Sequence, residues 1–137
     1  MNRRDFQEIA EVRLRESKAL LTAGFPEGAY YLAGYAVECA LKACIAKKTR
    51  EHDFPDREMV NSSYTHKLKD LLKLAELKTD LEAVLQADPL MEANWAIIQD
   101  WSEKSRYERR SLQEAEVLLS AIEDGRGGLL PWIVQRW

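Results

Sequence analysis

The sequence predicts an all-α protein, folded as an antiparallel up-and-down bundle of four to six helices. Most segments between glycines and prolines repeat apolar residues every three or four positions, as one face of a helix does. No segment alternates apolar and polar residues in the manner of a strand. Residues 28–48 are apolar on nearly every face, which predicts a buried central helix about 31 Å long.

Length and composition predict one domain over residues 1–137, since the chain has 137 residues and 46% hydrophobic content. A net charge of −3 argues against a protein that coats nucleic acid generally, but it allows a local basic patch. The two cysteines lie five apart on one helix, cannot pair, and fit the core of a cytoplasmic protein. Neither a signal peptide nor a membrane span is predicted, because the N-terminus is charged and Glu38 and Lys42 interrupt the apolar stretch.

Helix one is predicted over residues 3–23 and should end at Gly24, a typical helix stop. Pro26 suits the first turn of helix two, which is predicted to end near Lys48. Because so few residues separate the two helices, they should pack as an antiparallel hairpin. The apolar stripe of helix one consists of Phe6, Ala10, Leu14, Ser17 and Leu21.

The polar composition of residues 49–63 predicts one long loop, with a turn at residues 53–56. Thr65 is the predicted cap of a third helix. A capping-box pattern at residues 79–82 predicts that a fourth, short helix begins there. The apolar face of the third helix would be Leu68, Leu71, Leu72 and Ala75.

Asp88, followed by a proline, predicts the start of a fifth helix whose apolar stripe reaches Trp101. Residues 102–110 have no apolar periodicity and predict a loop. A second capping-box pattern begins at Ser111 and opens the last long helix, which should continue to Gly125.

The C-terminal tail, about residues 129–137, carries two tryptophans and is too apolar to remain free in water. Pro131 would begin a short helix there. We expect this tail to dock onto the bundle or onto a second subunit.

A polar stripe runs along helix two, where Tyr31, Tyr35, Glu38 and Lys42 share one side. A carboxylate buried in the middle of the helix requires a cation, because an unpaired buried charge costs several kcal/mol or more. The predicted partner of Glu38 is Arg106 on a facing segment. Lys42 is the alternative if this side of the helix emerges at the surface.

Three segments together resemble a HEPN domain, a family of small helical bundles linked to nucleotide and RNA chemistry. They are residues 30–43 of helix two, residues 65–68 at the start of helix three, and residues 105–107 after Trp101. The similarity covers roughly residues 3–124, and the tail also resembles that of small stand-alone bacterial members. It implies an antiparallel bundle that forms a homodimer, and a partner such as a minimal nucleotidyltransferase in a toxin–antitoxin or defence module.

Many members of that family are metal-independent ribonucleases built on an arginine followed, after four to six residues, by a histidine. This motif is absent here, because neither His52 nor His66 has an arginine at the required distance and no histidine follows Arg106. The resemblance therefore implies a fold and a binding role, without the family's catalytic pair. No cofactor and no metal site are expected, since two histidines without clustered ligands make no zinc site.

The candidate site residues are Glu38, Arg106 and Tyr107, together with Tyr35, Lys42 and His66. Either they form a polar pocket for a nucleotide or RNA phosphate, or Arg106 simply neutralises Glu38 within the structure. Further phosphate contacts could come from Lys104, Arg109 and Arg110, although such a basic run is often only solvated.

The leading hypothesis is a cytoplasmic, dimeric and non-catalytic binding subunit for nucleotide, RNA or a nucleotidyltransferase. One alternative is a ribonuclease with a divergent site made of Glu38, His66, Arg106 and Tyr107. The other is a purely structural dimerisation domain.

Overall fold

The computed structural model describes residues 1–49 and 57–137. Within these residues there are eight α-helices and one 3-10 helix, and no strand, which confirms the all-α fold. The elements are α1 (Arg3–Ala23), α2 (Pro26–Lys48), α3 (Arg57–Ser62), α4 (Leu68–Leu74), α5 (Lys78–Ala87), α6 (Pro89–Ile98), the 3-10 helix η1 (Glu103–Tyr107), α7 (Leu112–Glu123) and α8 (Leu129–Val134).

The first two helices form the predicted antiparallel hairpin. A capping box between Asn2 and Asp5 opens α1, and Gly24 closes it in a left-handed conformation with φ 87°. The proline at the start of α2 supplies the second helix start. Both helices have the bounds that the sequence predicts.

The central helix α2 is buried on most of its surface, as predicted, and packs against α1, α4, η1, α7 and α8. Cys39 and Cys44 are buried in it as free thiols. None of the helices in residues 1–49 and 57–137 is long and apolar enough to cross a membrane.

Two predicted loops contain helices. α3 lies within residues 49–63, and η1 lies within residues 102–110. Both are single short turns whose polar sequences carry no apolar repeat, so periodicity does not detect them. The turn predicted at residues 53–56 lies outside the described residues.

The starts of α4 and α5 differ from the prediction. Lys67, and not Thr65, is the N-cap of α4, and Thr65 Oγ1 only accepts a hydrogen bond from the Lys67 N–H at 3.2 Å. α5 begins at Lys78, ahead of the predicted capping box. The reason is the turn before it, where Glu76 has φ 56° and the Leu77 N–H bonds to the Leu72 carbonyl at 3.0 Å.

The caps of α6 and α7 match the prediction. Asp88 accepts hydrogen bonds from the first backbone N–H groups of α6. Ser111 and Glu114 form the capping box of α7 in both directions, each at 3.1 Å.

The C-terminal segment packs onto its own bundle, where α8 contacts α2, α6 and α7. α8 begins at Leu129, two residues before Pro131, because Leu129 and Leu130 are already buried in the core. The end of the tail is held to the N-terminal hairpin, since Arg3 donates to the Trp137 carbonyl and Lys47 donates to the Arg136 carbonyl.

Candidate functional site

Glu38 is the buried charge around which the site is built. α2 places it in the core with only 1% of its surface exposed. Its Oε1 atom accepts a hydrogen bond from Lys42 Nζ at 2.9 Å and lies 2.8 Å from His66 Nδ1. Two potential cations therefore meet one carboxylate oxygen, which offsets the cost of burying it. The other oxygen, Oε2, has no hydrogen-bond partner among the described residues.

His66 lies between two carboxylates from different elements. Its Nδ1 faces Glu38 on α2, and its Nε2 lies 3.3 Å from Oε2 of Glu103, the first residue of η1. A protonated imidazole can donate to both carboxylates, whereas a neutral one has a single N–H. This Glu38–His66–Glu103 bridge joins the central helix to η1.

The predicted pairing of Glu38 with Arg106 is wrong. Arg106 is exposed, and its guanidinium lies 5.0 Å from the centroid of the Tyr107 ring. In the short 3-10 turn, Ser105 is the residue that points into the core, so its neighbour Arg106 points to solvent. Lys42, the alternative from the same helix, is one of the actual partners.

The inner side of η1 is fixed by Trp101, which lies flat on Gly34 of α2. A Cβ atom at Gly34 would lie 2.2 Å from three atoms of the indole ring, so only glycine allows this approach. Tyr31 stacks on Trp101 with 6.2 Å between ring centroids, and Tyr35 continues the stack at 6.0 Å from Tyr31.

The far end of the same segment is fixed by Arg110. Its guanidinium bonds to Glu108 at 2.6 Å and to Glu114 at 3.2 Å, and it lies 4.2 Å from the centroid of the Tyr30 ring. Arg110 is thus held in a structural contact, unlike the other cations of the basic run.

Four exposed residues of the segment 104–109 make up what we call the basic shelf: Lys104, Arg106, Tyr107 and Arg109. Tyr107 is 81% exposed. Within the described part of the chain, none of the three cations has an ion-pair partner. The shelf therefore presents an aromatic ring beside unneutralised positive charge.

A family model for the HEPN domain matches residues 4–126. The chain belongs to the HEPN domain family. Searches of curated proteins and of solved structures returned no significant match. The matched range contains Glu38, His66 and the whole shelf, and it ends before α8.

This HEPN chain also has a cavity of about 490 Å³ between α1, α2 and residues 60–64. Tyr35, Cys39 and Lys42 line it, so Lys42 borders both the cavity and Glu38. Burial raises the pKa of the Cys39 thiol to about 11 and also raises the pKa of Tyr35. Both groups are therefore protonated at neutral pH, which makes Cys39 a poor nucleophile.

The structure brings together some of the predicted site residues and separates others. Glu38, Lys42 and His66 are in contact, with Tyr35 on the same side of α2, while Arg106 and Tyr107 lie outward on the shelf. Glu103 was missed. The only signal in the sequence is its place directly before the basic run, where an acidic side chain stands beside Lys104.

The described residues contain no group of three histidine, cysteine, aspartate or glutamate side chains placed to hold a metal ion. The chemistry that this site offers is hydrogen bonding and charge pairing around His66, and stacking and anion contact on the shelf.

Proposed function

We propose that this HEPN domain is a non-catalytic, cytoplasmic binding subunit whose basic shelf takes a nucleotide or single-stranded RNA. The observation that supports this most is Tyr107, 81% exposed, with the Arg106 guanidinium 5.0 Å from its ring. An exposed ring stacks on a base, and unpaired cations beside it contact phosphate. Lys104 and Arg109 extend the positive charge on either side.

The state of His66 supports a role without catalysis. A general base needs a free nitrogen near the proton that it removes. Both ring nitrogens of His66 face carboxylates, and the sequence has no histidine after Arg106 at the spacing of the family's ribonucleases. The imidazole is better placed to link two elements than to act on a substrate.

The proposed partners are those that the resemblance to the family implies. We include a homodimer in the proposal, and a minimal nucleotidyltransferase from a toxin–antitoxin or defence module as a protein partner. A nucleotidyltransferase reading frame beside this one would support that part of the proposal.

The role of the shelf is tested by measuring the affinity of the protein for a single-stranded RNA oligonucleotide by fluorescence anisotropy. Tyr107→Ala should weaken binding by about 5- to 150-fold, the cost of losing one base–aromatic stack. Tyr64→Ala is the matched control, because Tyr64 is also a strongly exposed tyrosine, at 75%, but it borders the cavity and is not part of the shelf. Three phosphate contacts would give a slope of about −2 for log affinity against log salt.

Equal losses in the two tyrosine variants would contradict the shelf as the binding surface. So would wild-type binding that is insensitive to Arg106→Ala together with Arg109→Ala.

A second function, ribonuclease activity at a divergent site, is favoured by one contact. Glu38 and His66 form a carboxylate–imidazole pair at 2.8 Å, an arrangement that orients a histidine base in many enzymes. To act, His66 would have to release Glu103 from Nε2. Labelled single-stranded RNA incubated with the protein in EDTA decides between the two: we expect no cleavage, and cleavage that disappears in His66→Ala would establish the ribonuclease.

A further inference from the structure

We infer that His66 is a positioning residue for the basic shelf, and that the Glu38–His66–Glu103 bridge makes the affinity of the shelf for its ligand depend on pH. The inference rests on the proposed function, because it takes the shelf as the ligand site. It adds to that proposal a residue outside the shelf and a direction of regulation.

The bridge ends on the element that carries the shelf. Glu103 is the first residue of η1, and the same five-residue helix contains Lys104, Arg106 and Tyr107. The other end of the bridge, Glu38, is fixed in the middle of α2. Any change in the contact between His66 and Glu103 therefore acts directly on the turn that presents the shelf.

The other anchors of the shelf keep their charge near neutral pH. Trp101 on Gly34 is an apolar contact, and Arg110 stays protonated in its pairs with Glu108 and Glu114. Histidine is the side chain that ordinarily changes charge between about pH 5 and pH 8. Among these described anchors, the bridge is the one that contains a histidine.

The charged groups that face the imidazole determine whether the bridge strengthens or weakens as the pH rises. They are Glu38 and Lys42 from α2, and Glu103 from η1. A protonated His66 donates to both carboxylates. A neutral His66 donates to one and turns a lone pair toward the other, so the contact to η1 or to α2 is lost. The bridge is complete at low pH and weakens as the pH rises.

The experiment measures affinity for a single-stranded RNA oligonucleotide with a 5′-hydroxyl end, so that the ligand has only internucleotide phosphates and its charge stays constant. The label is a rhodamine that does not titrate, and the ionic strength is fixed. We expect affinity to fall by about two- to fivefold between pH 5.5 and pH 7.5, the range that an exposed ion pair supports. His66 and Glu103 are 46% and 41% exposed.

Glu103→Gln is the informative variant, since an amide accepts from a protonated nitrogen and donates to a neutral one. Its pH profile should be flat, whatever its absolute affinity. His66→Asn should flatten the profile as well, and Lys42 remains to neutralise Glu38 in that variant. Glu108→Gln is the matched control, because it removes a carboxylate from the other end of the shelf and should leave the slope unchanged.

The chain has one other histidine, His52. The His52→Asn variant controls for it and should show the same slope of affinity against pH as the wild type. Wild-type binding without pH dependence, or a slope that survives in Glu103→Gln, would overturn the inference while leaving the proposed function intact.

Absence of binding at every pH would instead overturn the proposed function. A measurement without ligand then tests whether the bridge controls η1. The backbone amide shifts of Ser105 and Glu108, followed by NMR, should titrate in the wild type and not in Glu103→Gln. If they titrate equally in both proteins, the bridge does not control η1.

Discussion

At the scale of single residues, Glu38 shows how a buried carboxylate is tolerated in an apolar helix. Its two neighbours differ in kind: Lys42 is mostly buried and comes from the same helix, whereas His66 is half-exposed and comes from another segment. Lys42 is the partner held by the helix itself, since its Nζ donates to Glu38 Oε1 at 2.9 Å from one turn further along α2.

Lys42→Met should therefore destabilise the protein. Methionine keeps the apolar stem but removes the charge, so Glu38 loses a charged hydrogen bond in the core, at a cost of about 1–3 kcal/mol in the free energy of unfolding. Urea denaturation measures this loss in the free energy of unfolding. Lys78→Met is the matched control, since the Lys78–Glu82 pair has the same i, i+4 spacing but is exposed and 4.0 Å long, and should change stability by less than about 0.5 kcal/mol. Similar losses in both variants would contradict the role of Lys42.

The raised pKa values of the two thiols predict that the folded protein loses stability at alkaline pH. Burial raises the pKa of both Cys39 and Cys44 from 9.0 to about 11, and the charge of Glu38 adds to the shift at Cys39. The folded protein therefore keeps these protons when the unfolded chain has lost them. The stabilisation is complete below pH 9 and disappears between pH 9 and about 11.

Urea midpoints measured across this range should fall more steeply for the wild type than for Cys39→Ala with Cys44→Ala. Parallel slopes would contradict the assignment to the thiols. Slow reaction of both cysteines with Ellman's reagent in the folded protein at pH 8 is the second readout.

At the scale of elements, the close approach of Trp101 to Gly34 sets the position of η1 on α2. Alanine normally favours a helix over glycine by about 1 kcal/mol, so the sign of a Gly34→Ala effect is diagnostic. We expect destabilisation by about 1–3 kcal/mol, because the new Cβ would overlap the indole ring.

Gly28→Ala is the control in the same helix. A Cβ there meets only the tip of the Leu20 side chain at 3.1 Å, which can move aside, so the change should be neutral or stabilising. If Gly34→Ala were also neutral, Trp101 would not be fixed on α2 as the structure has it. Thermal and urea unfolding of both variants provide the comparison.

Element starts could be predicted where a side chain caps its own helix, as at Asp88 and Ser111. They could not be predicted at α5, where the turn through Glu76 and the burial of Leu77 decide where the helix begins. The candidate site likewise has one part that the sequence predicts and one part that it does not. Helical spacing predicts that Glu38 needs a cation and offers Lys42, but which residue of a short loop faces inward depends on the turn geometry. That is why Arg106 was expected where His66 is found.

At the scale of the whole molecule, the homodimer is a prediction that the C-terminal tail supports less than its sequence indicates. Trp132, one of its original grounds, is buried against its own bundle. The partly buried stack of Tyr31 and Tyr35 on α2 and the family membership support it. Light scattering at micromolar concentration should show a mass of twice 15.8 kDa. A monomer over the whole concentration range would contradict the prediction.

The position of α2 in the chain also has a consequence for synthesis. The helices that cover it last, α7 and α8, are encoded at the far end, with about 80 residues between the end of α2 and the start of α8. At roughly 5–20 residues per second, a ribosome needs about 4–16 s to add that length. During this interval the helix with the most buried residues among the described helices is made but incompletely covered, so a nascent or C-terminally truncated chain is a natural client for chaperones.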